Sequence, residues 1–351
     1  MESPTSTSRY LASLQAFRGL AALAVVLYHA GLFVSRRWQI PFCGGAFRHG
    51  DIGVDFFFVL SGFIIAFVHW DDLGRAESAP RYLWRRFFRI YPLLLLLTTL
   101  RLAAAFAMPG DGSRVTGNVV VSSYLLLPLF DGVMPVITAA WTLAHEVLFY
   151  GLFLVAILVG RKVGAALLGL WAAGLAVLQL AGVPLEGAAS FVFDPHNIEF
   201  LFGIAACLAF RRGVPKGVAW MLMPLAIGLV VAGAWLTVPS AGKDQAFPVR
   251  FVLGLAFALL IVAVTTLEAL RVWKSVPGWL RWLGDASYSI YLGHSFVLMT
   301  LLAVLNRWGS KGPAMAHGVT FAALGITLAA CGVLWWLVER PLLRWSKRWT
   351  R

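Results

Sequence analysis

The chain has 351 residues, 60% of them apolar and only 13% charged, with a mean hydropathy of +0.80. Apolar stretches recur almost end to end and no polar block is large enough to fold separately, which excludes a soluble globular protein and indicates one membrane domain over 1–351 with no appended soluble domain. The formal charge of +13 would suit a nucleic-acid binder, but its distribution follows membrane topology, so no nucleic-acid partner is expected.

Runs of at least 16 mostly apolar residues lie near 14–34, 51–70, 89–108, 139–160, 164–183, 195–210, 217–238, 247–268, 284–305 and 314–338. The pattern predicts an all-α polytopic bundle of about ten transmembrane helices. A shorter apolar piece at 118–130 contains Pro128 and reads as a helix that does not span. With that piece kept out of the count, 20 Lys and Arg fall on one side and 8 on the other, with Arg101 inside the third run. Positive charge favours the cytoplasm, so both termini are expected there. The first run has no small-residue cleavage pattern after it and reads as a retained span. Cys43, Cys207 and Cys331 are scattered, with no metal spacing, and neither a Walker loop nor an HExxH motif occurs; no metal and no permanently bound cofactor are expected.

Within the first run, eleven residues separate Arg18 from His29. That is close to three helical turns, so both side chains share one face about 16 Å apart along the axis. A charge at mid-bilayer costs on the order of 3 kcal/mol, so such a pair commonly faces a bundle interior and marks a site. The bland alternative is that Arg18 snorkels to the headgroups while His29 bonds a neighbouring helix.

The second run, DIGVDFFFVLSGFIIA at 51–66, carries Asp55, a carboxylate that wants a partner or water, and Ser61-Gly62, which suit helix packing. RYLWRRFFRIYP at 81–92 leads into the third run. On a helix Arg86 and Arg89 sit at i and i+3, and Arg85 and Arg89 at i and i+4, a fork for phosphate oxygens; topology anchoring is the competing role. In WTLAHEVLFY at 141–150, Thr142, Glu146 and Tyr150 share one helical face and Trp141 and His145 another. Glu146 could orient a histidine, accept a proton, or pair with Arg101. In GDASYSIYLGHS at 284–295, Tyr288, Tyr291 and His294 either bond a sugar or form a polar seam between helices.

Taken in order, LQAFRGLAALAVVLYHA, GVDFFFVLSGF, RRFFRIYP, WTLAHEVLFY, SYSIYLGHS and VERP at 338–341 resemble the acyltransferase family 3 membrane proteins, which O-acetylate surface polysaccharides and related glycans. NIEFLFGI at 197–204 is similar to the exopolysaccharide branch. The resemblance implies a bacterial inner-membrane enzyme with His29 as catalytic histidine and Arg18 as its companion. It places Arg86 and Arg89, with Arg85 and Tyr91 in the same motif, against acyl-CoA, and Glu146 as the acid of the tryptophan-to-glutamate motif. WTLAHE departs from the commoner WSLSxE, which leaves the role of His145 open.

The implied reaction moves an acyl group, most simply acetyl, from cytoplasmic acetyl-CoA, a co-substrate, to a hydroxyl of a glycan or lipid-linked glycan. His29 would be the general base, with an acyl-histidine as the variant, and Asp55, Trp141, His145, Tyr288, Tyr291 and His294 are the acceptor-side candidates. Membrane lipids, and a second copy in a homo-oligomer, are the other expected partners. A transporter is the rival from another class, although no second copy of the Arg-x10-His or RRFFRIYP pieces suggests an inverted repeat. A non-catalytic partner of a polysaccharide assembly complex is the third reading.

Overall fold

The computed structural model describes residues 11–107, 115–130, 132–237, 247–272, 276–305 and 312–349. Of the basic residues that set the predicted topology, Arg9, Arg114, Lys243, Lys274, Arg307, Lys311 and Arg351 lie outside them. Among the described residues ten helices are long and apolar enough to cross a membrane. In chain order the helices are α1 (Ala12–Trp38), α2 (Gly53–His69), α3 (Ala79–Ala107), α4 (Gly117–Leu125), α5 (Trp141–Val159), α6 (Arg161–Leu180), α7 (Gly187–Val192), α8 (Asn197–Arg212), α9 (Lys216–Leu236), α10 (Phe247–Ala269), α11 (Gly278–Asp285), α12 (Ser287–Leu305), α13 (Pro313–Leu334) and α14 (Arg340–Arg348).

The short apolar piece is α4, capped by the Thr116 hydroxyl at the Val119 N–H and ended by Leu126 in the left-handed region. Nine residues extend only about 13.5 Å, less than half of a hydrocarbon core. The third span starts earlier than its hydropathy suggests. Helix α3 begins at Ala79, so the arginines of 81–89 stand on the spanning helix itself, and Pro92 is accommodated inside it.

Helix α10 is the most buried span and packs against α9, α8 and α2. Helix α2 reaches α8 closely because both carry glycine at the crossing: a Cβ on Gly62 would stand 2.0 Å from the Phe200 carbonyl oxygen, and one on Gly203 2.0 Å from that of Val59. Helix α10 also closes the start of α1, where Glu268 accepts from the Ala12 and Ser13 N–H groups at 2.8 and 3.1 Å and from the Ser13 hydroxyl. These are free donors of a first helical turn, met by a carboxylate.

The two ends of the bundle are distinguished by their contacts. At one, Asp72 accepts from His69 (2.7 Å), Arg81 (2.9 Å) and Ser78 (3.2 Å), and the Trp70 ring lies under both Arg161 and Arg211. Trp84 and Phe88 of α3 meet Trp345 of α14 at this basic end. At the other, the Cys43 N–H donates to His317, and His49 bonds Thr237.

Asp55 is fully buried and pairs with Arg250 of α10, whose side chain is 6% exposed. The expectation of a shallow, hydrated or substrate-facing Asp55 is therefore corrected: the carboxylate ties α2 to α10. Glu199 of α8 stands at the same junction. Removing one partner of a buried pair leaves an uncompensated charge, at about 3–5 kcal/mol. Arg250→Met is thus expected to lower the thermal midpoint sharply in nanodiscs, with partial recovery in Asp55→Asn/Arg250→Met. A single variant as stable as the wild type would contradict this role.

Candidate active site

A cavity of about 610 Å³ enters the bundle between α2, α3, α5, α12 and α14. Its mouth lies at the basic end, where Arg85 and Arg86 of α3 and Ser346 and Lys347 of α14 form the wall, and Arg18 and Arg89 line it further in. Glu146 is the one carboxylate among its lining residues against five cations, so the cavity favours an anion. The blind end is made by Phe57, Thr142 and Tyr291.

The arginines are held differently. Arg89 donates to Glu339 at 2.7 Å and lies 4.8 Å over the Tyr288 ring. The second Glu339 oxygen takes the Ser289 hydroxyl at 2.6 Å and its N–H at 3.2 Å. This network fastens α3, α12 and the segment before α14 together. Arg86 lies over the Tyr82 and Tyr150 rings at 5.9 and 5.4 Å, a cation–π clamp that holds it on the cavity wall. Arg18 is bonded at 3.0 Å to Gln15, one turn earlier on α1.

Glu146 is held by a neighbour on α2 and by its own helix. Its Oε1 accepts from the Ser61 hydroxyl at 2.9 Å and from the Tyr150 hydroxyl. Ser61, read from sequence as a packing residue, thus belongs to the cavity wall. Its signal was present: the SG pair lies at the same depth as Glu146.

The partner of His29 is His294. The His29 Nδ1 lies 2.9 Å from the Val25 carbonyl and 3.4 Å from His294 Nε2. The His294 Nδ1 faces the Tyr291 and Ile290 carbonyls at 2.6 and 3.2 Å. Carbonyls accept only, so both Nδ1 atoms carry hydrogen, His294 Nε2 accepts from His29, and the lone pair of His29 is on Nε2. That nitrogen is arranged as a base or nucleophile. His29 does not line the cavity, however. Val25, Val54, Phe57, Ala139 and Tyr291 form an apolar cluster between the blind end and the two histidines.

Other sequence candidates fall into place around these groups. Tyr288 lines the cavity and donates to the Ile90 carbonyl at 2.7 Å; the Tyr291 hydroxyl bonds Thr142 at 2.9 Å. Tyr91 is corrected: it stacks on Phe87 at 5.1 Å and its hydroxyl reaches the Leu125 carbonyl of α4, away from the cavity. Trp141 and His145 turn from this cavity to a second one across α5, as their helical spacing requires.

Compared with known families, residues 11–336 match an acyltransferase domain. The chain belongs to the acyltransferase 3 family. Among its relatives, the exopolysaccharide production protein ExoZ of Rhizobium meliloti is 31% identical over 86% of this chain and 92% of its own length. The acyltransferase MdmB of Streptomyces mycarofaciens is 28% identical over 95% and 92%. The peptidoglycan O-acetyltransferase OatA of Listeria monocytogenes is 24% identical over 87% of this chain and 52% of its own. No solved structure matches the chain. The protein is therefore a multi-pass membrane acyltransferase, in which Arg18, Arg85, Arg86, Arg89, Glu146, Tyr288 and Tyr291 line one cavity while His29 and His294 stand beside each other outside its lining.

The apolar cluster makes a prediction about access to this acyltransferase's histidine. In a Cys43→Ser background, His29→Cys is expected to react slowly with a charged thiol reagent and faster once Tyr291→Ala removes the ring between cavity and α1. Equal rates with and without Tyr291 would show that the ring is no barrier.

Proposed function

We propose that the protein is an O-acyltransferase of the bacterial inner membrane, most simply an O-acetyltransferase, that moves an acyl group from cytoplasmic acyl-CoA to a glycan hydroxyl. The observation that carries this reading is the five-cation cavity whose blind end is parted from the His29–His294 pair by the Tyr291 ring and its apolar neighbours. Coenzyme A brings phosphates, which suit the arginine and lysine walls at the mouth, and a long, narrow pantetheine arm, which suits a tapering passage. Positive charge at this end fits the cytoplasm, where acyl-CoA is made. The glycan acceptor is supported by the relatives, one named for exopolysaccharide production and one for peptidoglycan O-acetylation.

In this mechanism Arg85, Arg86 and Lys347 hold the phosphates. Arg18, three turns below His29, meets polar groups of the arm, and the thioester travels roughly the last 16 Å along α1 once Tyr291 moves aside. His29 Nε2 takes the proton of the acceptor hydroxyl as its oxygen attacks the thioester carbonyl. The carbon–sulfur bond then breaks, and the thiolate leaves with the proton returned by the imidazolium. His294 fixes the tautomer and shares the positive charge that develops on His29. Glu146, fixed by Ser61 and Tyr150, balances the charge of the arginines around it.

With radiolabelled acetyl-CoA and purified protein in nanodiscs, wild type is expected to transfer label to glycan and His29→Ala to lose that transfer with its thermal midpoint unchanged. Retained transfer would remove His29 from the mechanism. Arg85→Gln/Arg86→Gln is expected to raise KM for acetyl-CoA roughly tenfold or more with little change in kcat, given about 1.5–3 kcal/mol per charged hydrogen bond. An unchanged KM would make these residues topology anchors only.

A further inference from the structure

The second cavity, about 760 Å³, lies at the end away from the basic mouth, between residues 126–130 and 132–135, the start of α5 and the turn joining α7 to α8. Its charge is opposite to that of the first. Among the described lining residues Glu186 and Asp194 are the carboxylates, and none is a lysine or arginine. On its wall the sequence Asp194-Pro195-His196 folds so that Asp194 Oδ1 accepts from His196 Nδ1 at 2.7 Å and from the His196 backbone N–H at 2.9 Å. The carboxylate thus fixes the ring and leaves Nε2 as the nitrogen for a ligand. Trp141 stands edge-on to His196, with ring centroids 5.2 Å apart. His145, its Nδ1 donating to Asn197 at 3.0 Å, completes this wall. Phe58 joins the two cavities: it lines the first, and its ring meets those of Trp141, His145 and His196 at 6.3, 5.9 and 5.8 Å.

We infer that this second cavity is the acceptor site, and that it binds an uncharged saccharide segment, one ring lying on Trp141 and its hydroxyls bonding the Asp194–His196 pair. The word acceptor rests on the reading of the first cavity as the donor site; saccharide binding does not. A pyranose has an apolar C–H face that suits an indole and hydroxyls that serve both carboxylate and imidazole. A uronate or phosphorylated sugar would bring negative charge against Glu186 and Asp194 with no lysine or arginine among the described lining residues to balance it. The anionic donor and the neutral acceptor are thereby sorted by the charge of the cavity each enters.

The test is direct binding, by calorimetry, to the full chain in nanodiscs. The probes are neutral tetrasaccharides of glucose, galactose and mannose, and tetragalacturonate. At least one neutral probe is expected to bind saturably, with tetragalacturonate at least about tenfold weaker, and His196→Gln and Trp141→Leu each weakening the neutral probe by about tenfold. Glu186→Lys, a change at an exposed position, is expected to narrow the gap between neutral and anionic probes. The inference is overturned if no neutral probe binds, if tetragalacturonate binds as well, or if the His196 and Trp141 variants bind like the wild type, in which case the pair only shapes the start of α8. Coenzyme A binding by the same samples separates the two readings: saccharide binding without coenzyme A binding upholds this site and removes the donor reading.

Discussion

A bilayer offers no water to an ionised side chain, and this protein carries several at membrane depth, so each must be matched from another helix. Arg250 answers Asp55, Glu339 answers Arg89, and Glu146 is held by Ser61 and Tyr150. These pairs are long-range: α2 with α10, α3 with the end of the last spanning helix, α5 with α2. They act as the polar ties of a bundle whose outer surface is apolar, and they fix where the helices part to leave a cavity. In water-soluble proteins such pairs contribute little net stability. Here their larger consequence is specificity of arrangement, since a mispaired helix would leave a charge in lipid.

Helix α5 turns this constraint into two different compartments. Its first turns present Thr142, Glu146 and Tyr150 to the cationic cavity and Trp141 and His145 to the acidic one, a consequence of 3.6 residues per turn acting on ten residues of sequence. The first cavity opens at the basic end, the second at the other, and the Phe58 ring stands between them. On the proposed function, a two-substrate transfer across a membrane would gain from that separation, because a continuous passage would leak ions or hydrolyse the thioester.

The spans were legible in the sequence because hydropathy over a 20-residue window reports burial in lipid directly. Arg18, Arg86, Arg89 and Glu146 were legible because a charge in an apolar run is costly and so stands out. The partners were not. Glu339 is 250 residues from Arg89 and His294 is 265 from His29, and helical periodicity says which face a residue occupies but not which helix faces it. The sequence shows that Asp55 needs a partner and that Tyr91 follows the arginines, but not that their polar groups meet α10 and α4. Asp194 and His196 went unnoticed because their pairing depends on a short turn before α8, where no periodicity operates.

On the proposed function, a thioester entering between the arginines reaches His29 Nε2. A cryo-electron microscopy structure with a non-transferable acyl-CoA analogue tests it most directly. Phosphates are expected against Arg85, Arg86 and Lys347, with Tyr291 displaced and the acyl carbonyl carbon within reacting distance of the acceptor oxygen, about 3–3.5 Å, beside His29. An analogue bound elsewhere, or one seated in the cavity with its acyl group turned away from α1, would contradict it.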